Sequence, residues 1–244
     1  VTRFQKLNEM RSDFIANVSH ELKTPLTVIN GYLETLIDNG LVDGVAGKAI
    51  SNAWSQGQRM SSIIHDLMTL SQLETSQSPE QATFNLNGLL DQVLQQAQLL
   101  KENLNKKETQ IEFSVDEQWN MVGSTNEIYS LLSNLLSNAV RYCPDGSTIQ
   151  ISIEQTSSGP AIQVSDNGPG IAESHLQRLT ERFYRVDTSH SSSTGGTGLG
   201  LSIAKHIVNR HGGELMIESE IGTGTRIFWI YFNTSKLMIF SQTS

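Results

Sequence analysis

The stretch FIANVSHELKTPLTVINGYLETL, residues 14–36, decides how the first part of the chain folds. Leu7, Phe14, Val18, Leu22, Leu26, Ile29, Leu33 and Leu36 recur in steps of three, four or seven, the mark of one buried stripe on a long helix. His20 is two residues from both Val18 and Leu22. At ~100° per residue it stands about 200° round the axis from each, so its imidazole is expected to point away from the core. Thr24 shares that face, and Glu21 sits about 100° aside. Pro25 removes an amide donor and crowds the carbonyl of Glu21, so a bend is expected just beyond the histidine. Taken alone, the stretch is equally an exposed histidine on a kinked helix, and the rest of the chain has to decide.

The first helix is expected from about residue 4 to residue 38, with DNGLVDGVAG as the turn after it. A second helix is expected over residues 48–74, where Ile50, Ala53, Gly57, Met60, Ile64 and Leu67 alternate steps of three and four. Two such helices cannot bury their stripes alone, and a dimer forming a four-helix bundle is the economical solution. TSQSPEQ, residues 75–81, is polar and reads as the linker. Beyond it the pattern is mixed. Helices are expected in GLLDQVLQQAQLL, EIYSLLSNLLSNAVRY and LGLSIAKHIVNRH. Strands are expected in TQIEFSV, QWNMVG, TIQISIEQ, AIQVSDNG, GELMIESE and GTRIFWIYF. This order suggests an α/β sandwich, one mixed sheet with helices on one face.

The 244 residues suffice for two modest domains with cores of their own. A formal charge of −8, from 25 acidic and 17 basic residues, argues against nucleic acid as a partner. The single cysteine, Cys143, excludes an internal disulfide or a cysteine-based zinc cluster. The sequence has no apolar run of 18 residues and no signal-peptide pattern, and its first residues already read as amphipathic helix. It is therefore expected to be the soluble part of a longer protein.

Three segments of the second half could carry chemistry together. In SDNGPGI, residues 165–171, Asp166 ends a strand, and Gly168 and Gly170 let the backbone turn against a ligand; a carboxylate there could accept from an exocyclic amine. Asp-Asn-Gly is also a common turn. In TGGTGLGLSI, residues 194–203, glycines precede a helix, the makings of an anion site or simply a lid hinge. No strand directly precedes it and no Lys-Ser/Thr follows, so neither the dinucleotide fingerprint nor the P-loop applies. Asn134 and Asn138 share one helix face, with Arg141 and Tyr142 just after. Carboxamides so placed could give a magnesium ligand and a phosphate donor, although asparagines are more often merely solvated.

Occurring jointly and in order, FIANVSHELKTPLT, SNLLSNAVRY, VSDNGPGI, ERFYRVD and TGGTGLGL resemble the H, N, G1, F and G2 boxes of the sensor histidine kinases of two-component systems. The likeness runs from about residue 4 to residue 231. Within the family, MRSDFIANVSHELKTPLTVINGYLE and LTERFYRVD are most similar to the phosphate-regulon branch, which implies phosphate-starvation signalling. The resemblance implies an all-α helical hairpin forming a dimeric four-helix bundle, then an α/β sandwich ATP-binding domain of the Bergerat (GHKL) type. The expected domains are dimerisation and phosphotransfer over 1–77, a linker over 78–82, ATP binding over 83–233 and an unassigned tail over 234–244.

By the same resemblance, His20 takes the γ-phosphoryl group of ATP, Glu21 assists it, and Thr24 orients a water for dephosphorylating the partner. Asp166 matches the residue that recognises the adenine amine, with Gly168 and Gly170 passing close to the base. Asn134 matches the Mg2+ ligand, and Asn138, Arg141 and Tyr142 match neighbours of the phosphates and base. Arg185 matches a residue reaching the γ-phosphate, and Gly196, Thr197, Gly198, Leu199 and Gly200 match the phosphate-cradling loop. Arg141 stands where lysine is usual, which keeps the charge, and STNEIYS departs from the usual run before the N box. The implied partners are a response-regulator receiver domain and a second copy of the chain. The implied location is the cytoplasmic portion of a bacterial inner-membrane protein, anchored by a segment outside this sequence. A non-catalytic, nucleotide-responsive adapter is the alternative, and the intact His20 with complete glycine boxes argues against it.

Overall fold

The computed structural model describes residues 3–38, 44–76, 79, 82–114, 119–156, 159–186, 196–231 and 240–241; for 3–18, 20–21, 114, 155–156, 159–160, 231 and 240–241 the description covers the backbone alone. The chain divides into two compact units, Val1–Ser76 with Gly195–Leu199, and Gln77–Thr194 with Gly200–Ser244.

The first unit is a hairpin of two long helices, α1 (Arg3–Asp38) and α2 (Gly44–Thr75), packed against each other. α1 is one continuous helix in which Pro25 is accommodated. α2 begins at Gly44 rather than near Lys48, so GVAG belongs to the helix and not to the turn. Ser19, Leu26 and Asn30 of α1 are buried, as are Gly57, Ile64, Leu70, Ser71 and Leu73 of α2. The expected single stripe is split. Leu26 is 7% exposed, whereas Leu22 and Ile29 remain 46% and 53% exposed, because one neighbouring helix covers only part of a wide apolar face. Met60 on α2 is likewise half exposed. Asn30 fits into the hollow left by Gly57, where an added methyl carbon would lie 1.9 Å from Asn30 Oδ1. Asn30 Nδ2 donates to Ser61 Oγ at 3.3 Å.

The second unit contains β1 (Ala82–Asn85), α3 (Leu86–Asn103), β2 (Gln110–Ser114), β3 (Trp119–Gly123), α4 (Thr125–Tyr142), β4 (Thr148–Thr156) and β5 (Gly159–Asp166). It continues with α5 (Glu173–Leu176), α6 (Gly200–Arg210), β6 (Gly213–Glu220), β7 (Gly224–Tyr231) and β8 (Phe240–Ser241). The strands form two sheets, not the one expected. The larger has the order β2-β4-β5-β7-β6, parallel only between β2 and β4. The smaller has the order β1-β3-β8, so β3 left the main sheet to pair with a strand too short to stand out in the sequence. Phe240 and Ser241, in the segment left unassigned, pair with β3.

Alternation along the strands sends Ile162 and Val164 of β5, Ile149 and Ile151 of β4 and Trp229 of β7 to one buried face. α4 supplies Ile128, Leu131, Leu132, Leu135, Leu136 and Val140 to the core, and α6 packs beside it with Ile203, Ile207 and Val208. Each such side chain contributes roughly 1.5–3 kcal/mol by leaving water. The same alternation places Asp166, at the end of β5, on the helix-covered face. Gln163 and Arg226 lie on the other face, where Arg226 Nε donates to Gln163 Oε1 at 2.5 Å.

Candidate functional site

Asp166 ends β5 where the chain turns under α4. Its Oδ1 accepts from the backbone N–H of Gly168 at 2.9 Å and of Thr225, at the start of β7, at 3.3 Å. Two amides thus aim the carboxylate, one from the adjoining loop and one from a strand 59 residues away. A methyl on Gly168 would sit 2.8 Å from both Asp166 Oδ1 and Cys143 Sγ, so only hydrogen fits between them. Gly170 has φ +70°, and a methyl there would come within 1.9 Å of the Glu220 carbonyl oxygen. The loop is held from the β6–β7 turn. Gly222 N donates to Pro169 O at 2.9 Å, and Ile171 N donates to Ser219 Oγ at 2.8 Å. Ser219 Oγ in turn donates to Gly224 O at 2.8 Å and lies 2.9 Å from Thr225 Oγ1.

α4 forms the other wall. Ser124 caps its start, its Oγ accepting from Glu127 N at 3.5 Å. The buried Leu131, Leu135 and Leu136 turn Asn134 and Asn138 to the half-buried side. Asn134 Nδ2 donates to Ser130 O at 2.9 Å, which leaves Oδ1 directed at the first residue of α6, Gly200. A methyl on Gly200 would stand 2.6 Å from that oxygen, so the glycine keeps a space in front of it. Arg141 is half-buried, and burial lowers its guanidinium pKa from the ordinary value; Tyr142 is exposed. From Asn134 to Cys143 the helix rises about 13 Å, so carboxamide and carboxylate stand toward two different ends of α4.

The glycine-loop residues Gly196, Thr197, Gly198 and Leu199 lie in the segment that clusters with the first unit. Gly198 has φ +74°, Leu199 N donates to Thr197 Oγ1 at 3.2 Å, and Leu199 is buried. The preceding residues 187–195 lie outside the described residues. Arg185 is half-buried beyond α5, next to a cluster in which Tyr184 Oη meets His175 Nδ1 at 2.6 Å and Arg178 covers the Tyr184 ring at 4.2 Å. On α1, positions 20 and 21 are helical, but the side chains of His20 and Glu21 lie outside the described residues; Thr24 is exposed. The structure thus brings Asp166, Gly168 and Gly170 together, and Asn134 with Gly200.

Sequence reasoning missed Cys143, Ser219 and Thr225. The cysteine was noted only for the disulfide and the cysteine-based zinc cluster that a single thiol excludes. The other two reach the loop from strands about fifty residues downstream, and only the glycine-dense IGTGT, residues 221–225, hinted that backbones pass closely there.

Two family models match in sequence order. The His Kinase A (phospho-acceptor) domain matches residues 10–76, and the histidine kinase-, DNA gyrase B- and HSP90-like ATPase matches residues 123–236. The chain belongs to the sensor histidine kinases of two-component systems. Among its relatives in this family is the phosphate regulon sensor protein PhoR of Pseudomonas aeruginosa, 44% identical over 92% of this chain and 51% of the relative. PhoR of Haemophilus influenzae is 36% identical over 94% of the chain and 53% of the relative. The chain therefore spans about half the length of these curated relatives. Among solved structures, the Acinetobacter baumannii histidine kinase AdeS matches with a TM-score of 0.60 at 25% identity, over 88% of this chain and 98% of that one. Full-length ShkA in complex with AMPPNP has a TM-score of 0.71 at 23% identity over 90% of this chain and 45% of that one, a likeness of fold. No helix among the described residues is long and apolar enough to cross a membrane.

Proposed function

We propose that this chain is the catalytic part of a sensor kinase that transfers the γ-phosphoryl group of ATP to His20 and then to an aspartate of a response-regulator receiver domain. The observation that carries the proposal is the conjunction, in one chain, of a phospho-acceptor domain and an ATPase domain. An unprotonated imidazole nitrogen of His20 attacks the γ-phosphorus, the bond to the β-phosphate oxygen breaks, and ADP leaves. Glu21 hydrogen-bonds the ring and accepts the imidazole proton, which keeps the attacking nitrogen nucleophilic. Asp166 accepts from the adenine amine. Gly168 and Gly170 admit the base, and Asn138, Arg141 and Tyr142 flank base and phosphates. Gly196, Thr197, Gly198, Leu199 and Gly200 offer backbone to the phosphates, and Arg185 reaches the γ-phosphate.

The residues present fit a magnesium ion at the Asn134 position, because its carboxamide oxygen faces the space kept open by Gly200. A hard cation held by one protein oxygen, phosphates and water is the usual way Mg2+ enters a nucleotide site, where it neutralises phosphate charge.

The half-exposed Leu22, Ile29 and Met60 support a homodimer through the hairpin, and the PhoR relatives support phosphate-starvation signalling and a place on the cytoplasmic side of the inner membrane. Thr24, exposed on α1, would hold the water that hydrolyses the regulator's acyl phosphate. The test is incubation with γ-labelled ATP. His20→Gln should abolish acid-labile, alkali-stable label while nucleotide still binds, and wild-type labelling of the variant would overturn the assignment. Thr24→Ala should retain the label but slow decay of phosphorylated regulator tenfold or more, on the order of one lost orienting contact. Unchanged decay would place the phosphatase function elsewhere.

A further inference from the structure

Cys143 is the residue at which α4 ends, and its backbone is tied on both sides. Its N–H donates to Ala139 O at 3.0 Å, and its carbonyl accepts from the ammonium of Lys106, which also donates to Val140 O at 2.5 Å and to Arg141 O at 3.0 Å. The side chain is 3% exposed. Its sulfur and Asp166 Oδ1 lie equally close, 2.8 Å, to the point where a methyl on Gly168 would stand. The thiol therefore stands beside the Asp166 carboxylate, with only the hydrogen of Gly168 between the two side chains. The lysine thus anchors the helix end that sets the thiol beside the carboxylate.

We propose that Cys143 is a positioning residue for nucleotide recognition: its thiol, fixed by the end of α4, turns the Asp166 carboxylate toward the adenine amine. The inference rests on the reading of Asp166 as the adenine acceptor. Gly168 N and Thr225 N donate to Asp166 Oδ1 from the loop and from β7; the Cys143 thiol stands beside the same carboxylate from α4, and the proposal makes it the third donor. Three donors from three elements fix the plane of the carboxylate, and a hydrogen bond to an exocyclic amine depends on that direction. Burial, followed by the Asp166 carboxylate beside it, pushes the thiol pKa up to about 12, so the group stays a donor at any physiological pH. A buried, fully protonated thiol is a poor nucleophile, which sets this role apart from a redox switch.

The experiment measures binding of ADP and of inosine diphosphate, which carries a carbonyl in place of the amine, to the whole chain by calorimetry. Cys143→Ala should weaken ADP by about two- to tenfold, the worth of one modest hydrogen bond, while leaving inosine diphosphate unchanged. Cys143→Ser, which keeps a donor, should restore the ADP preference. Three results would overturn the proposal: ADP affinity unchanged in the alanine variant, both nucleotides weakened equally, or serine performing no better than alanine. Asp166→Ala separates the two levels. If it lowers ADP affinity and Cys143→Ala does not, the positioning role alone falls. If it leaves ADP affinity intact, the adenine reading falls and takes this inference with it.

Discussion

Single residues in this chain are constrained less by what they contribute than by what they leave out. Gly170 and Gly212 make the comparison cleanly, because both have positive φ, +70° and +74°, but only Gly170 has backbone where a side chain would go. An added methyl meets the Glu220 carbonyl at Gly170 and nothing within 4 Å at Gly212. Gly212→Ala should therefore cost only the left-handed strain of about 1–2 kcal/mol. Gly170→Ala should cost more than that, because the β6–β7 turn must also move, and it should weaken ADP binding. Thermal unfolding of the two variants side by side checks the order, and equal losses would mean that the loop relaxes freely away from β6.

At the scale of elements, α4 is the member on which the nucleotide unit is assembled, and its first turn depends on a histidine. His211 is buried. Its Nε2 faces the Ser124 N–H at 3.3 Å and so must be the unprotonated nitrogen, while Nδ1 donates to Ile207 O at 2.9 Å. Burial lowers its pKa against the opposing pull of the Ile207 carbonyl and of Glu127, with Arg210 adding to the lowering. Glu127 is itself engaged by Arg210 at 3.2 Å. The unfolded chain holds this imidazole near its ordinary 6.5, so between the lowered folded value and about 6.5 the unfolded state binds the additional proton. Stability from this group is complete above that interval and is lost as pH falls through it, by at most about 1.4 kcal/mol per pH unit. Denaturant midpoints from pH 7.5 down to 5 should decline accordingly, and His211→Gln should flatten the decline. A slope that is the same in both proteins would assign it to other groups.

α4 was legible to within two residues because six apolar side chains repeat on one face, and the strands of the main sheet were legible from their alternation. β1 was not. It has four residues, and the last, Asn85, also caps α3 by accepting from Gly88 N at 2.7 Å, so the segment reads as a helix start. The second sheet followed from that omission. For the candidate site, Asp166, Gly168, Gly170 and Asn134 could be singled out in the sequence because each stands in a run of unusual composition. What fixes them was not, since Thr225 is 59 residues from Asp166 and no periodicity links the two.

On the scale of the whole molecule, the first unit leaves large apolar side chains uncovered among its described residues. Leu22, Val28 and Ile29 on α1 and Met60 on α2 are all between 46% and 53% exposed, and the proposed dimer would cover them. Replacing Leu22 and Ile29 together by glutamate should shift the chain to monomer in sedimentation experiments, while ADP binding stays within about twofold, because neither residue is among those proposed to hold the nucleotide. A dimer that persists unchanged would move the interface to another face. Within each hairpin, the fit of Asn30 into Gly57 has a mechanical consequence. Slipping α1 along α2 by a turn would drive the carboxamide against Trp54 or Ser61, the side chains one turn to either side of Gly57 on its own face, so the pair has a detent rather than a smooth track. A displacement applied at the start of α1 is then carried by both helices as one stiff lever, and it can be released only in steps large enough to lift Asn30 out of its notch.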